Sequence, residues 1–224
     1  MMARSIDLSK EPIGIIGTGM MAKGIATLYS RSGLNTFIGS RDAVRSEKFA
    51  KQIQVETRSN SGNSISGGSV TDVLTECQVI ILAVPTMHKD DNGDLVEGVI
   101  HFLNKYEHLV RGKHKILIDI TYYGRSFGNP SPPGDFTSAL TYHSNTFGDT
   151  TAVWVGGYKS VMWTSLRDSK CQGIEIAGDE EGRKVFSEII TKTGFKPLDC
   201  GDLSNGGVIE PGGPLRKPHP EASV

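Results

Sequence analysis

Three stretches of this chain carry residue types suited to binding a dinucleotide and moving hydride. The first, Gly17-Thr18-Gly19-Met20-Met21-Ala22, fits the pattern G-x-G-x-x-G/A. In that pattern Gly17 permits a tight turn, Gly19 leaves space for a pyrophosphate against the backbone, and Ala22 lets a helix pack closely on a strand. The apolar run Ile13 to Ile16 precedes the turn, and Met21, Ile25 and Leu28 share one helical face after it. The turn therefore joins a strand to a helix, where free N–H groups and the helix dipole attract an anion.

The second stretch, Gly39-Ser40-Arg41-Asp42, closes the next short strand, Thr36 to Gly39. NAD sites usually place an acidic residue at this strand end to hold the ribose 2′-hydroxyl. Here Gly39 and Ser40 take that place and Arg41 follows. Hydroxyl and guanidinium donors suit a 2′-phosphate, so the expected ligand is NADP(H). Asp42, which keeps NAD in play, comes late for the ribose.

The third group lies at strand ends, where open α/β sheets bind ligands: Pro85 to His88, Thr121 to Arg125, and Gly156 to Lys159. His88 is a candidate catalytic residue, able to touch a nicotinamide or pass a proton to a reduced acceptor, with a plain surface histidine as the alternative. Tyr122, Tyr123 and Tyr158 offer flat surface to a planar ring, although core packing is the commoner fate of each. Gly156-Gly157 would let such a ring approach the backbone. Lys159 and Arg125 are candidate cations for an anionic tail, against a solvated role. Asp119 reads as a structural hydrogen-bond acceptor and Trp163 as core. No Ser/His/Asp arrangement is present, and hydride transfer between stacked rings needs none. No His/Cys/Asp cluster has ligand spacing, so no protein-bound metal is expected.

These stretches are positioned by alternating strand-like and helix-like runs. Val79 to Val84 and Ile116 to Ile120 are continuous apolar runs of strands buried on both faces. Ala152 to Val155, Ile174 to Ala177 and a run ending at Leu198 are further strands. Arg45 to Ile53 reads as a helix, as does a second with Leu95, Val96, Val99, Ile100 and Leu103 on one face. Asp179 to Thr193 is a third, with an acidic first turn and Gly194 after it. A short strand is expected near Ile65 within the Gly/Ser-rich stretch Ser59 to Ser69. The alternation predicts an α/β fold of Rossmann type: a doubly wound, mostly parallel sheet with helices on both faces. The expected division is an NADP-binding domain over 1–204 and a Pro/Gly-rich tail over 205–224.

Charged residues at 22% and hydrophobic residues at 37% are ordinary for a soluble domain. A net charge of −1 without a Lys/Arg run argues against nucleic-acid or acidic-membrane partners. Cys77, Cys171 and Cys200 are isolated, as reduced thiols of a cytoplasmic protein would be. Met1 to Glu11 lacks a signal peptide's apolar centre, and no apolar run reaches the length of a membrane span.

The chain resembles the deazaflavin-dependent NADP oxidoreductases, together with the related cytosolic domain of the STEAP metalloreductases. The likeness rests on Ile15 to Gly19, Gly39-Ser40-Arg41, Ile81 to Pro85 followed by His88, Lys115 to Asp119, Val155 to Leu166, and Lys196 to Asn205. It implies NADPH held by Gly17, Thr18, Gly19, Met20 and Met21, with Ser40 and Arg41 on the 2′-phosphate. It implies that Ala83, Val84, Pro85 and His88 line the nicotinamide end. It also implies a small-molecule redox acceptor (FAD, FMN or a deazaflavin) stacked on the nicotinamide, and the strand-end positions put Gly156 and Tyr158 beside that ring. A homodimer is the assembly it suggests. The metalloreductases' Lys-Gly-Phe-Asn-type sequence is replaced by Val155-Gly156-Gly157-Tyr158-Lys159, and the C-terminal helix that helps the deazaflavin enzymes dimerise by Glu210-Pro211-Gly212-Gly213-Pro214. The expected function is an NADPH-dependent oxidoreductase, with ferric or cupric reduction as one downstream use. The alternative is an NADP(H)-sensing or partner-binding domain without catalysis. Imine and ketone reductases share the N-terminal half but add a helical domain of ~100 residues; too little chain follows Asp119 for one.

Overall fold

A computed structural model describes residues 6–57, 64–90, 92–123, 132–170 and 173–210. Eight strands form one sheet in the order β3 (Ile65–Ser69), β2 (Thr36–Ser40), β1 (Ile13–Ile16), β4 (Val79–Leu82), β7 (Ile116–Asp119), β8 (Val153–Gly156), β9 (Gly173–Gly178), β10 (Lys196–Asp199). The first six are parallel, so the carboxyl ends of β1, β2, β4 and β7 open on one edge. β9 runs antiparallel to β8, through Val155↔Gly178 and Gly156↔Ala177, and β10 is parallel to β9.

Side chains alternate across each strand, and this builds two cores. Ile13, Ile15, Ile81 and Ile118 face α1 (Met20–Arg31), α2 (Ala43–Thr57), α7 (Trp163–Arg167) and α8 (Glu180–Lys192). Ile16, Ile80, Leu82 and Leu117 face α3 (Val70–Glu76), α4 (Gly98–Lys105), α5 (Glu107–Val110) and α6 (Ala139–Phe147). The Rossmann-type fold is thus present. Among the described residues no helix is long and apolar enough to cross a membrane.

Two local expectations are corrected. Leu95 and Val96 are not helical: β5 (Met87–Lys89) and β6 (Leu95–Glu97) form an antiparallel hairpin, and α4 begins only at Gly98. The hairpin's turn is held by Asp90, whose Oδ1 accepts the N–H groups of Asn92 and Asp94, both at 2.9 Å. Helix α3, which lacks a long apolar period, is started by a capping box in which Ser69 and Asp72 satisfy each other's backbone N–H. The boundary at 204 also falls inside packed structure. Residues Leu203–Val208 form a 3-10 helix, and Ile209 and Glu210 after it are buried. The remainder of the expected tail, 211–224, lies outside the described residues.

Candidate functional site

A groove of about 720 Å³ runs along the carboxyl ends of β1, β2, β4 and β7. Its floor is the first turn. Gly17 has φ 128°, and a Cβ there would stand 2.4 Å from the Ala83 carbonyl oxygen, so only glycine fits. The Gly17 N–H donates to the Gly39 carbonyl at 2.8 Å and the Ala83 N–H to that of Ile16 at 3.0 Å, which laces three strand ends together. Gly19 caps α1 with extended backbone and no side-chain partner, and nothing lies within 4 Å of where its Cβ would be. That vacancy at a twelve-residue helix's N-terminus is the fit a pyrophosphate requires. Thr18, Met20 and Met21 line the same stretch.

At the end of β2 the groove is lined by Ser40, Arg41, Asp42 and Arg45. Ser40 Oγ donates to the Asp42 carbonyl at 2.7 Å and accepts from Ser46 Oγ at 2.7 Å, so its proton is committed inside the loop. Asp42 Oδ1 accepts the Arg45 N–H at 3.0 Å and so starts α2. At this end of the groove Asp42 is thus engaged at Oδ1 in starting α2, while Arg41 and Arg45 are exposed. Arg45 was not singled out from the sequence; its signal was its place one turn into the helix that Asp42 caps.

The other end is formed by Ala83, Val84, Pro85, Thr86 and His88 after β4, by Gly98, and by Ile120, Thr121 and Tyr122 after β7. Thr86 Oγ1 donates to the Tyr122 carbonyl at 3.1 Å, and the Gly98 N–H donates to the Thr86 carbonyl at 2.7 Å. His88, on the hairpin, meets His101 of α4 edge to face at 4.9 Å. Lys89, His101 and Lys105 add basic groups that the helical reading of Leu95 and Val96 had obscured.

Gly156, Tyr158 and Lys159 do not line this groove, which corrects the expected stacking shelf. Tyr158 is 1% exposed; its hydroxyl is 3.1 Å from that of Tyr29 and its ring meets Phe186 edge to face at 5.2 Å. A Cβ on Gly156 would meet Ile209, Leu140 and Lys159 at 3.0–3.1 Å, and one on Gly157 would stand 2.3 Å from the Phe186 ring. The loop turns inward because Lys159 is drawn to buried acids. Its Nζ lies 3.3 Å from Asp119 Oδ2 and 3.4 Å from Glu210 Oε1, and donates to the Thr121 carbonyl. Of the other candidates, Tyr122 lines the groove, Tyr123 is buried, and Arg125 lies outside the described residues.

Asp119 is the centre of this buried set. Burial pushes its carboxyl up, but Lys159 and His143 more than offset that and hold it well below the usual range. His143 Nδ1 lies 3.0 Å from Asp119 Oδ2, and Nε2 lies 2.8 Å from Glu97 Oε1. Burial raises Glu210, against the pull of Lys159. No group of three or more metal-ligating side chains occurs among the described residues.

Residues 12–123 match a family described as NADP oxidoreductase, coenzyme F420-dependent. The chain is 26% identical over 208 residues to the metalloreductase STEAP2 of Homo sapiens, covering 91% of this chain and 36% of that protein. It thus spans about a third of the length of the metalloreductase. It is 24% identical over 208 residues to the F420-dependent NADP reductase of Methanothermobacter marburgensis, covering 89% and 87% of the two chains. Among solved structures, the hypothetical protein SMa0349 of Sinorhizobium meliloti superimposes with a TM-score of 0.68 at 17% identity, over 93% of this chain and 94% of that one.

Proposed function

The chain belongs to the coenzyme F420-dependent NADP oxidoreductase family, and from that premise we propose that it exchanges hydride between NADP(H) and a planar acceptor of flavin or deazaflavin type. The observation that carries this reading is the continuity of one groove. It joins the vacancy at Gly19 to two exposed arginines at one end and to Pro85, His88 and Tyr122 at the other. NADP(H) supplies the hydride when bound. The protein's part is to grip and orient. Gly17 and Gly19 bring backbone N–H groups to the pyrophosphate, and Arg41 with Arg45 would take the 2′-phosphate. Ala83, Val84 and Pro85 would line the nicotinamide end. His88 stands at the hairpin rim, where it would meet the acceptor. FAD, FMN and a deazaflavin are the proposed acceptors, and reduction of ferric or cupric chelates is a proposed downstream use. A homodimer in a reducing, cytoplasmic setting fits the family and the buried Cys77, whose thiol burial pushes up to about 12.

The closed Gly156–Tyr158 shelf favours one second reading, an NADP(H)-sensing or partner-binding domain without catalysis. Mixing the protein with NADPH and each acceptor, and following nicotinamide absorbance, separates the two. Acceptor-dependent oxidation is expected. No turnover with any flavin, deazaflavin or metal chelate, despite bound NADPH, would leave the sensor.

The same groove sets cofactor preference. Arg41→Ala should weaken NADPH by ~1.5–3 kcal/mol, the worth of a hydrogen bond to a charged group. Isothermal titration should show NADH nearly unchanged, because Arg41 would touch only the 2′-phosphate. Equal losses for both cofactors would show that Arg41 does not read that phosphate.

A further inference from the structure

The acceptor end of the groove is fastened from beneath by a closed circuit. Glu97 caps α4, accepting the N–H groups of Val99 at 3.1 Å and Ile100 at 2.5 Å. Next to it, Gly98 bonds to the Thr86 carbonyl, and Thr86 bonds to that of Tyr122. Beside Tyr122, Thr121 gives its N–H and hydroxyl to Asp119 Oδ1 at 2.8 and 2.7 Å. His143, with a fully buried side chain, closes the circuit between Asp119 and Glu97.

We propose that His143 is a positioning residue, a two-sided clamp that holds the Thr86–Gly98 and Thr121–Tyr122 walls together only while its imidazole carries both ring protons. An ionised carboxylate can only accept hydrogen bonds, so each ring nitrogen facing one must donate. A neutral imidazole has a single N–H. Losing a proton therefore sets a ring lone pair against either Asp119 or Glu97, around an imidazole that has no exposed surface of its own.

The surrounding groups reinforce the demand. Lys159, in the loop after β8, faces Asp119, and Glu210, after the 3-10 helix, faces Lys159. Tyr123 and Tyr142 lie beside the imidazole, with ring centroids at 6.2 and 5.5 Å. Among the described residues, two cations serve Glu97, Asp119 and Glu210 while His143 is protonated, and Lys159 alone once it is not. Burial alone would depress the imidazole, but the two carboxylates prevail and raise it to about 9. The folded value lies above the ordinary 6.5. The clamp's contribution is therefore complete below 6.5 and is lost as pH rises through about 9. The wall should loosen on the basic side, not the acidic one.

The kinetic arm of the test rests on the reductase reading; the spectroscopic arm does not. Histidine-labelled full-length protein, followed by NMR, should show both His143 ring nitrogens protonated at neutral pH. Glu97→Gln keeps the shape and removes one charge, so the His143 transition should fall by about 1–3 pH units. An amide can give the hydrogen bond that a neutral Nε2 accepts, so the clamp then survives loss of the second ring proton. The basic limb of bound-NADPH fluorescence, and of kcat/KM with an acceptor, should therefore weaken or vanish in this variant. His143→Gln should lose that limb and roughly 10- to 100-fold in kcat/KM, as misplacement of a reacting pair does. A neutral His143 at pH 7 in wild type would overturn the proposal. So would a basic fluorescence limb that keeps its full size and position in Glu97→Gln. Absence of turnover with the spectroscopic shifts intact would remove only the reductase reading.

Discussion

Gly19→Val is expected to abolish NADP(H) binding while the protein folds and melts almost as before. Gly19 has φ −81° and ψ −175°, extended backbone that valine adopts freely. No atom lies within 4 Å of the position a Cβ would take, so the folded protein accommodates the side chain. The stability change should stay within about 0.5 kcal/mol, as for other substitutions that touch nothing. The cofactor does not escape, because the branched side chain occupies the space in which the pyrophosphate meets the α1 N-terminus. The dissociation constant should rise roughly 100-fold or more, equivalent to about 2.7 kcal/mol. Gly17→Val is the contrasting variant. Its φ of 128° and the Ala83 oxygen at 2.4 Å make it a folding defect. Normal NADPH binding by Gly19→Val would place the dinucleotide elsewhere.

Lys159→Met should be the most damaging single change to stability outside the apolar core. The ammonium offsets Asp119, which is fully buried, and Glu210, which is nearly so. Its loss leaves buried carboxylates short of a counter-charge, which costs ~3–5 kcal/mol. The cost should shrink as pH falls toward 5, because Glu210, already raised by burial, can then be protonated. Adding Glu210→Gln to Lys159→Met should recover part of the loss at neutral pH. Chemical denaturation at pH 5 and pH 8 measures all of this. A loss below about 1 kcal/mol at both would mean that water reaches the cluster.

The first half of the site was legible because its signals are local. Gly17, Gly19, Ser40, Arg41 and Pro85 each sit within a few residues of a strand end, and strand ends announce themselves as short apolar runs. Gly156, Tyr158 and Lys159 follow the same rule and yet turn inward. What turns them is distant: Asp119 is 40 residues away and Glu210 is 51. A lysine after a Gly-Gly pair looks solvated until its acids are found. His143 went unremarked for the same reason, with partners 24 and 46 residues off. The hairpin was missed on other grounds. Val96, Val99, Ile100 and Leu103 imitate one helical face, and that period outweighed Asn92-Gly93, a strong hairpin signal. Ile209 and Glu210 were assigned to a tail because Gly206-Gly207 and Pro211 around them break periodicity; a buried ion partner and an apolar contact hold them all the same.

The central claim, hydride transfer from NADPH to a stacked planar ring, is tested most directly by isotope. NADPH carrying deuterium at the nicotinamide C4 would be mixed with the protein and a deazaflavin, whose reduced ring keeps the transferred hydrogen on carbon. Mass spectrometry should find deuterium in the reduced acceptor, from one face of the nicotinamide only, with one acceptor reduced per NADPH oxidised. Deuterium retained on the nicotinamide while the cofactor is bound, or an acceptor reduced without label, would contradict the account.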